Sequence, residues 1–240
     1  MRKITEIQRI ELEHGKLEKT AEQASQGWLS AAGRIRLKRR EEFLCRGTNR
    51  KMRVLEIGSG TGIQTKYLAE NFDSVTGIDI SPDLLQIAKM KIPGVDFIEM
   101  DAHCPDFPEN SFDLIVGVSV LHHLDWDVAL KSYHKLLVPG GMLRFSEPNL
   151  MNPMVFVIKK VPAIKAWAGD SPTETAFTRW EIARSLNAAG FKSINARAFE
   201  FLHCSTPENF IDPTLKIEPM LERTFLREFG GSLLIEAVKN

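Results

Sequence analysis

Val54-Leu55-Glu56-Ile57-Gly58-Ser59-Gly60-Thr61-Gly62 reads as a buried strand running into a glycine-rich turn and then a helix. Val54, Leu55 and Ile57 form the short apolar run of a strand covered on both faces. Gly58 and Gly60 open backbone angles closed to other residues and let a ligand approach the main chain. Ile63 to Asn71 has helical composition, so its first amides point toward the loop. About twenty residues on, Val75-Thr76-Gly77-Ile78-Asp79 gives a second strand ending in an acid. The two strands describe a pocket for a ribose-bearing cofactor, and the glycine spacing decides which one. The dinucleotide fingerprint G-x-G-x-x-G/A needs a small third residue beside the pyrophosphate. That position is Ile63 here, and the third glycine comes one residue early, at Gly62, so the pattern is E-x-G-x-G-x-G.

Further motifs follow in order. Val95 to Met100 reads as a third strand, followed by Asp101-Ala102. Asp113 to Val118 reads as a fourth and leads into Ser119-Val120-Leu121-His122-His123-Leu124. Leu136 to Leu143 gives a helix end, a Pro139-Gly140-Gly141 turn and a fifth strand. With these motifs the chain resembles the Rossmann-like (class I) S-adenosylmethionine-dependent methyltransferases, particularly the group that includes ubiquinone-biosynthesis and other small-molecule enzymes. The resemblance covers residues 50 to 150 closely and 178 to 240 more loosely. It implies S-adenosyl-L-methionine as cofactor, with Gly58, Ser59, Gly60 and Gly62 under its methionine part and Glu56 or its solvent shell facing the amine. Asp79, followed by Ile80, would accept hydrogen bonds from the ribose hydroxyls. Asp101 would approach the adenine amino group, with Ala102 supplying a backbone amide, and Ser119 would complete the cofactor wall. N-terminal helices close over the cofactor in this family, which would bring Trp28 to the pocket.

The expected fold is α/β: a doubly wound, mostly parallel seven-stranded sheet, its last strand antiparallel, with helices on both faces. Strand and helix alternate over residues 53 to 146, as such a sheet requires. Ser81-Pro82-Asp83 starts a helix with a serine cap and proline at the first helical position. A single domain of residues 1–240 is expected: an N-terminal helical cap over 1–50, a cofactor-binding core over 51–147, an insert over 148–177 and a C-terminal part over 178–240. Residues 1 to 45 read as helical. Arg34 to Arg40 carries a basic run that reads either as a solvated helix face whose apolar side covers the sheet or as a contact for an anionic substrate or membrane surface; Glu41 and Glu42 dilute the charge and favour the first. Thr178 or a neighbouring residue caps a helix from Arg179 to Ala189, stopped by Gly190. Phe191 to Phe199 is the sixth strand and Ser232 to Val238 the last. Residues 200–231, rich in proline and aromatics, read as a second, irregular insert.

The segment 148 to 177 is too long for a plain connection. It begins at the carboxyl edge of the sheet, where open α/β folds bind ligands. It reads either as a lid over the acceptor or as a packing excursion with Phe156 and Trp167 in a satellite core. Its interleaved lysines also admit a lipid-linked or membrane-surface acceptor.

The chemistry expected is in-line displacement at a methyl group, in which alignment supplies up to ~7–11 kcal/mol. A hydroxyl acceptor needs a base within hydrogen-bond reach, worth ~10²–10⁴-fold. His122 and His123 are the candidates, since similar enzymes acting on sugar or phenol hydroxyls carry histidine here. Adjacent side chains of an extended segment diverge, and His122 is favoured, with Glu147 after strand five orienting its imidazole. The Asn/Asp-Pro-Pro-aromatic motif of amino-group methyltransferases is lacking. A formal net charge of zero, from 31 basic and 31 acidic residues, gives no footprint for nucleic acid. A small-molecule acceptor methylated at oxygen is therefore expected, of quinone-like, sugar or secondary-metabolite type. An NAD-dependent oxidoreductase and a cofactor-binding protein without catalysis are the rivals. Three scattered cysteines, no metal-ligand spacing, no long apolar run and no leader-like start point to a reducing, cytoplasmic setting.

Overall fold

The computed structural model describes residues 27–168, 171 and 174–240. The expected helix over 1–26 lies outside them. The chain enters with α1 (Ala31–Cys45), capped by the Ser30 hydroxyl, which accepts from Gly33 N at 2.9 Å. It continues through β1 (Arg53–Ile57), α2 (Ile63–Asn71), β2 (Ser74–Asp79), α3 (Pro82–Lys91), β3 (Asp96–Glu99) and β4 (Phe112–Val118). A 3₁₀ turn (Leu121–His123), α4 (Trp126–Leu136) and β5 (Leu137–Pro148) follow. Two short helices, α5 (Pro153–Lys160) and α6 (Pro162–Ala168), fill the insert. Then come α7 (Arg179–Ala188), β6 (Lys192–Phe199), α8 (Glu208–Glu222), a 3₁₀ turn (Phe225–Phe229) and β7 (Ser232–Val238).

The seven strands lie in the order β3-β2-β1-β4-β5-β7-β6. Pairings from β3 to β5 are parallel, and β7 runs antiparallel to both β5 and β6. From β1 the chain winds outward to β3, then returns to β4 on the other side of β1. This reversal opens a crevice at the carboxyl ends of β1 and β4, the place where such sheets bind ligands.

Both faces of the central strands are covered, which explains their continuous apolar runs. Val54, Leu114 and Val116 pack with Phe43 and Leu44 of α1 and Leu68 of α2. Leu55, Ile57, Ile115 and Phe145 face the other way, against Tyr133 of α4 and Ile182 and Leu186 of α7. Ser81 caps α3 as expected, and Thr178 caps α7, where it forms a reciprocal capping box with Glu181.

Three elements differ from expectation. The Pro139-Gly140-Gly141 turn does not precede β5 but is looped out within it. Phe112 pairs with Leu137, and the next partner of β4, Leu114, pairs with Met142. The segment expected to be irregular contains α8, with Pro213 and Pro219 in its interior. Each such proline costs ~3 kcal/mol in an isolated helix. Here Ile211 packs against Ala32 and Leu202, and Glu218 is tied to two backbone amides, so tertiary contacts override the local penalty. The basic run of α1 is not a simple solvated face: Arg40 is buried, and Arg36 and Arg39 also turn toward acids of the C-terminal part. In the insert, Phe156 is half exposed, which removes it from any satellite core, and the Trp167 side chain lies outside the described residues. No helix among the described residues is long and apolar enough to cross a membrane.

Gly117 sits in β4 where a Cβ would meet the Phe145 ring and, at 2.8 Å, Val120. Gly117→Ala is expected to destabilise the fold by ~1–3 kcal/mol through overpacking, read by urea unfolding. An unchanged midpoint would show that the sheet gives way more easily than this packing implies.

Candidate functional site

The glycine turn after β1 takes the left-handed backbone that its composition foretells: φ is +69° at Gly58, +50° at Gly60 and +82° at Gly62. The three glycines serve different ends. A Cβ on Gly58 would meet Val120 at 2.6 Å and one on Gly62 would meet Ile92 at 2.7 Å, so both permit close packing. A Cβ on Gly60 would point into open space. Gly60 therefore borders the cavity. Asp79 fixes it there: Oδ2 accepts from Gly60 N at 2.9 Å and Oδ1 from Ser81 N at 2.8 Å. Burial pushes the Asp79 pKa upward, against the lowering effect of the Ser81, Gly60 and Ile80 amides and of nearby His123.

An inner cavity of about 200 Å³ opens over this turn, walled by Glu56, Ser59, Gly60, Gln64 and Ser119, with Trp28 at its rim. Its polar groups are short of partners. Among the described residues neither Gln64 Nε2, Gln64 Oε1 nor Ser59 Oγ has one, although all are buried. Buried polar atoms are normally satisfied, so this wall is shaped for a polar ligand. Glu56 is also buried; its Oε2 accepts from Thr65 Oγ1 at 2.5 Å. Burial pushes its pKa up to about 8, the Thr65 bond opposing and the Asp79 charge assisting. An ammonium group placed here would meet a carboxyl group that it could ionise. Ligand-sized space at Gly60, orphaned donors and acceptors, and a buried acid together fit the cofactor that the motif resemblance implies.

The expected adenine-side residues lie one strand further out. Asp101 Oδ1 accepts from His103 N at 2.9 Å and pairs with His103 Nδ1 at 2.8 Å. The Ala102 carbonyl accepts from the buried Tyr133 hydroxyl at 2.7 Å. Ile80 is half-buried just after β2.

At the end of β4 Ser119 has φ +54°, a strained value for a residue with a side chain. Its N–H donates to Ser146 O at 2.8 Å. Behind it, Glu147 is 1 % exposed and nearly saturated. Oε1 accepts from Val120 N at 3.0 Å and Leu121 N at 2.9 Å, and Oε2 meets His122 Nδ1 at 2.7 Å.

The sequence turns His122 toward an acceptor. In the structure its ring is only 4 % exposed and borders neither of the two cavities described here. Its Nε2 lies 3.7 Å from Glu174 Oε2, which also takes Lys159 Nζ at 2.5 Å. Burial opposes the charge on His122, but the bonds to Glu147 and Glu174 outweigh it and push its pKa up to about 8. Although Glu174 is itself buried, His122, His123 and Lys159 hold its pKa well below the usual carboxylate range. His123 is half-buried, its Nδ1 3.9 Å from Glu174 Oε1. The two histidines thus fasten the insert to the end of β4.

A second, outer cavity of about 340 Å³ shares Trp28 and Ser119 with the inner one. Met154, Val155 and Ile158 of α5 give it an apolar wall, and Leu202 lines it from the segment before α8. Its polar lining includes the expected Ser119 and Glu147, and also residues that the motifs do not reach: Arg36, Arg40, Glu200, His203 and Cys204. The imidazole on this wall is His203, whose Nδ1 is 2.6 Å from Ser205 Oγ. No motif marks it in the sequence, because it lies in a segment without periodicity.

Residues 55–145 match the family model described as a methyltransferase domain. Over 114 residues the chain is 34% identical to the demethylmenaquinone methyltransferase of Chlorobaculum tepidum, covering 47% of this chain and 46% of that one. It is 33% identical over 100 residues to a fatty-acid O-methyltransferase of Mycolicibacterium smegmatis, covering 40% and 36%. The chain spans about half the length of the curated relatives it matches. In fold it is similar to a crystal structure of an S-adenosylmethionine-dependent methyltransferase, possibly a histamine N-methyltransferase, from Thermotoga maritima. There the TM-score is 0.73 at 18% identity, over 98% of this chain and 100% of that one. The matched domain, the relatives and the fold together support a class I S-adenosylmethionine-dependent methyltransferase.

Proposed function

We propose that this chain transfers a methyl group from S-adenosylmethionine, held in the inner cavity, to a small or medium acceptor held in the outer one. The observation that carries the reading is the shared boundary of the two cavities at Ser119 and Trp28, at the carboxyl end of β4. Bound in the inner cavity, the cofactor would supply a sulfonium-activated methyl group. The chain's own part is to bind, align and exclude water, the terms that dominate an in-line displacement.

Asp79 would hold the ribose hydroxyls, Asp101 and Ala102 the adenine edge, and Gly60 would let the methionine part lie against the main chain. Glu56 and Gln64 would take the methionine amine and carboxylate. Ser119, kept in its strained conformation by its bond to Ser146 and by the turn that Glu147 fastens, would set the distance between the cavities. His122, His123 and Glu147 would act through position. His203 is the group on the outer wall that would accept a proton from an acceptor hydroxyl, worth ~10²–10⁴-fold.

The apolar wall of α5 supports an acceptor with a hydrophobic body, and residues 148–177 then serve as wall and lid. Relatives called demethylmenaquinone methyltransferase and fatty-acid O-methyltransferase support a quinone-like or lipid-like acceptor and, for the second, transfer to oxygen. Exposed Phe156 and Val157 on α5 are compatible with delivery of such an acceptor from a lipid surface. The test is an acceptor screen with isotopically labelled methyl groups, in which transfer to a hydroxylated apolar compound is expected. Labelling of amines alone would overturn the choice of oxygen.

Asp79→Ala, checked for folding by circular dichroism, is expected to weaken S-adenosylhomocysteine binding by about 10–100-fold, the worth of one charge-assisted bond. Unchanged affinity would remove Asp79 from the ribose site. Gly60→Val fills the open side of the turn and is expected to abolish binding in a folded protein; retained binding would place the ligand elsewhere.

Glu56 gives a pH signature. Its pKa of about 8 leaves it protonated at pH 7 in the free protein. A ligand ammonium beside it favours the ionised form. Binding at pH 7 should therefore release a proton, and affinity should rise as pH climbs toward 8 and then level. Calorimetry in buffers of different ionisation enthalpy reads the release, and Glu56→Gln should abolish it. Equal heats in all buffers would show that the ligand amine lies away from Glu56.

A further inference from the structure

The outer cavity borders an ion cluster that no cofactor motif accounts for. Glu200, just past β6, holds φ +71° and is almost fully buried. Its carboxylate receives Arg36 Nε at 2.8 Å, Arg40 through Nη1 at 3.2 Å and Nη2 at 2.8 Å, and Arg39 Nη1 more distantly at 3.6 Å. Arg39 is answered mainly by Glu218 on α8, with Glu222 adding to the field. One carboxylate, Glu200, is thus left to serve both Arg36 and Arg40.

Arg36 uses only Nε in that pairing. Among the described residues no partner takes its Nη1 or Nη2, its side chain is 15 % exposed, and it lines the cavity. The Trp28 ring lies 5.8 Å from its guanidinium carbon and orients the fork. Two further groups lining the same cavity are buried without a partner among the described residues: Arg40 Nε, in a residue 2 % exposed, and Ser146 Oγ, in one 1 % exposed. A cavity lined by an open guanidinium fork, by orphaned donors and by the apolar face of α5 matches a molecule with an anionic head and a hydrocarbon body.

We propose that the part of the outer cavity around Arg36, with Arg40 and Ser146, is a carboxylate-binding subsite that selects acceptors bearing a carboxylate on an apolar body. The proposal rests on the reading of this cavity as the acceptor chamber. The free Nη edge of Arg36 takes the two carboxylate oxygens, while Glu200 holds the guanidinium from its Nε side. The subsite decides which molecules enter and how they are turned toward Ser119.

Octanoate and octanamide share a chain and differ in head charge, so they serve as probes. Their binding is measured by ligand-observed NMR to the full chain, alone and saturated with S-adenosylhomocysteine. Octanoate is expected to bind about tenfold or more tightly than the amide, as a charge-assisted bond implies. Arg36→Gln, verified as folded, should bring the two affinities together. Equal affinities in the wild-type protein, or no octanoate binding at all, would overturn the subsite whether or not the variant folds. A preference that survives in folded Arg36→Gln would also overturn it. Failure of S-adenosylhomocysteine to bind would count against the methyltransferase reading, and the octanoate comparison on the protein alone keeps the two failures apart.

Discussion

A single buried carboxylate, Glu147, holds the working edge of this sheet together. From the end of β5 it reaches across to two backbone amides of the turn after β4 and to the ring of His122. His122 passes the link on to Glu174, and Glu174 to Lys159 of α5. A charge in this position is costly to desolvate. Removing one partner from such a buried set costs ~3–5 kcal/mol, because the other is left uncompensated. The return is geometric. The turn that Glu147 fastens places Val120 against Gly58 and holds Ser119 in a conformation it would not adopt freely. Both cavities meet at Ser119, so their spacing follows from this linkage.

The two cavities differ in their chemistry. The inner one is polar and under-satisfied, with Gln64, Ser59 and a protonated Glu56 at neutral pH waiting for complementary groups. Its floor is main chain, which the open side of Gly60 makes accessible. The outer one is lined by apolar residues of α5 and by the ionic group around Arg36. That division suits a reaction in which the cofactor is always the same and the acceptor is chosen by body and head group. Segments outside the matched domain, α1, α5 and residues 200–204, all line the outer cavity.

What was legible in the sequence was local. The strand–glycine–helix unit, the acid at Asp79 and the Ser81 and Thr178 caps follow from spacing and composition, the antiparallel last strand from the family resemblance, and the structure has them. The Glu147–His122 contact could be anticipated because Glu147 lies at the end of β5 and His122 follows β4, strands whose ends lie side by side. The direction of the His122 ring could not, because it depends on Glu174, fifty-two residues on in an insert with no periodic pattern. The inward turn of the α1 arginines was hidden for a related reason. A basic run looks solvated until Glu200 and Glu218, over a hundred and sixty residues away, are brought to it. Helix α8 was missed because Pro213 and Pro219 are strong local breakers, and only packing with α1 and residues 201–202 outweighs them.

Calorimetric titration of the purified chain with S-adenosylhomocysteine and NAD in parallel tests the central claim most directly. The displaced third glycine, the open face of Gly60 and the Asp79 carboxylate predict saturable binding of S-adenosylhomocysteine and none of NAD. Binding of NAD alone would contradict the account and move the chemistry of this cleft to hydride transfer.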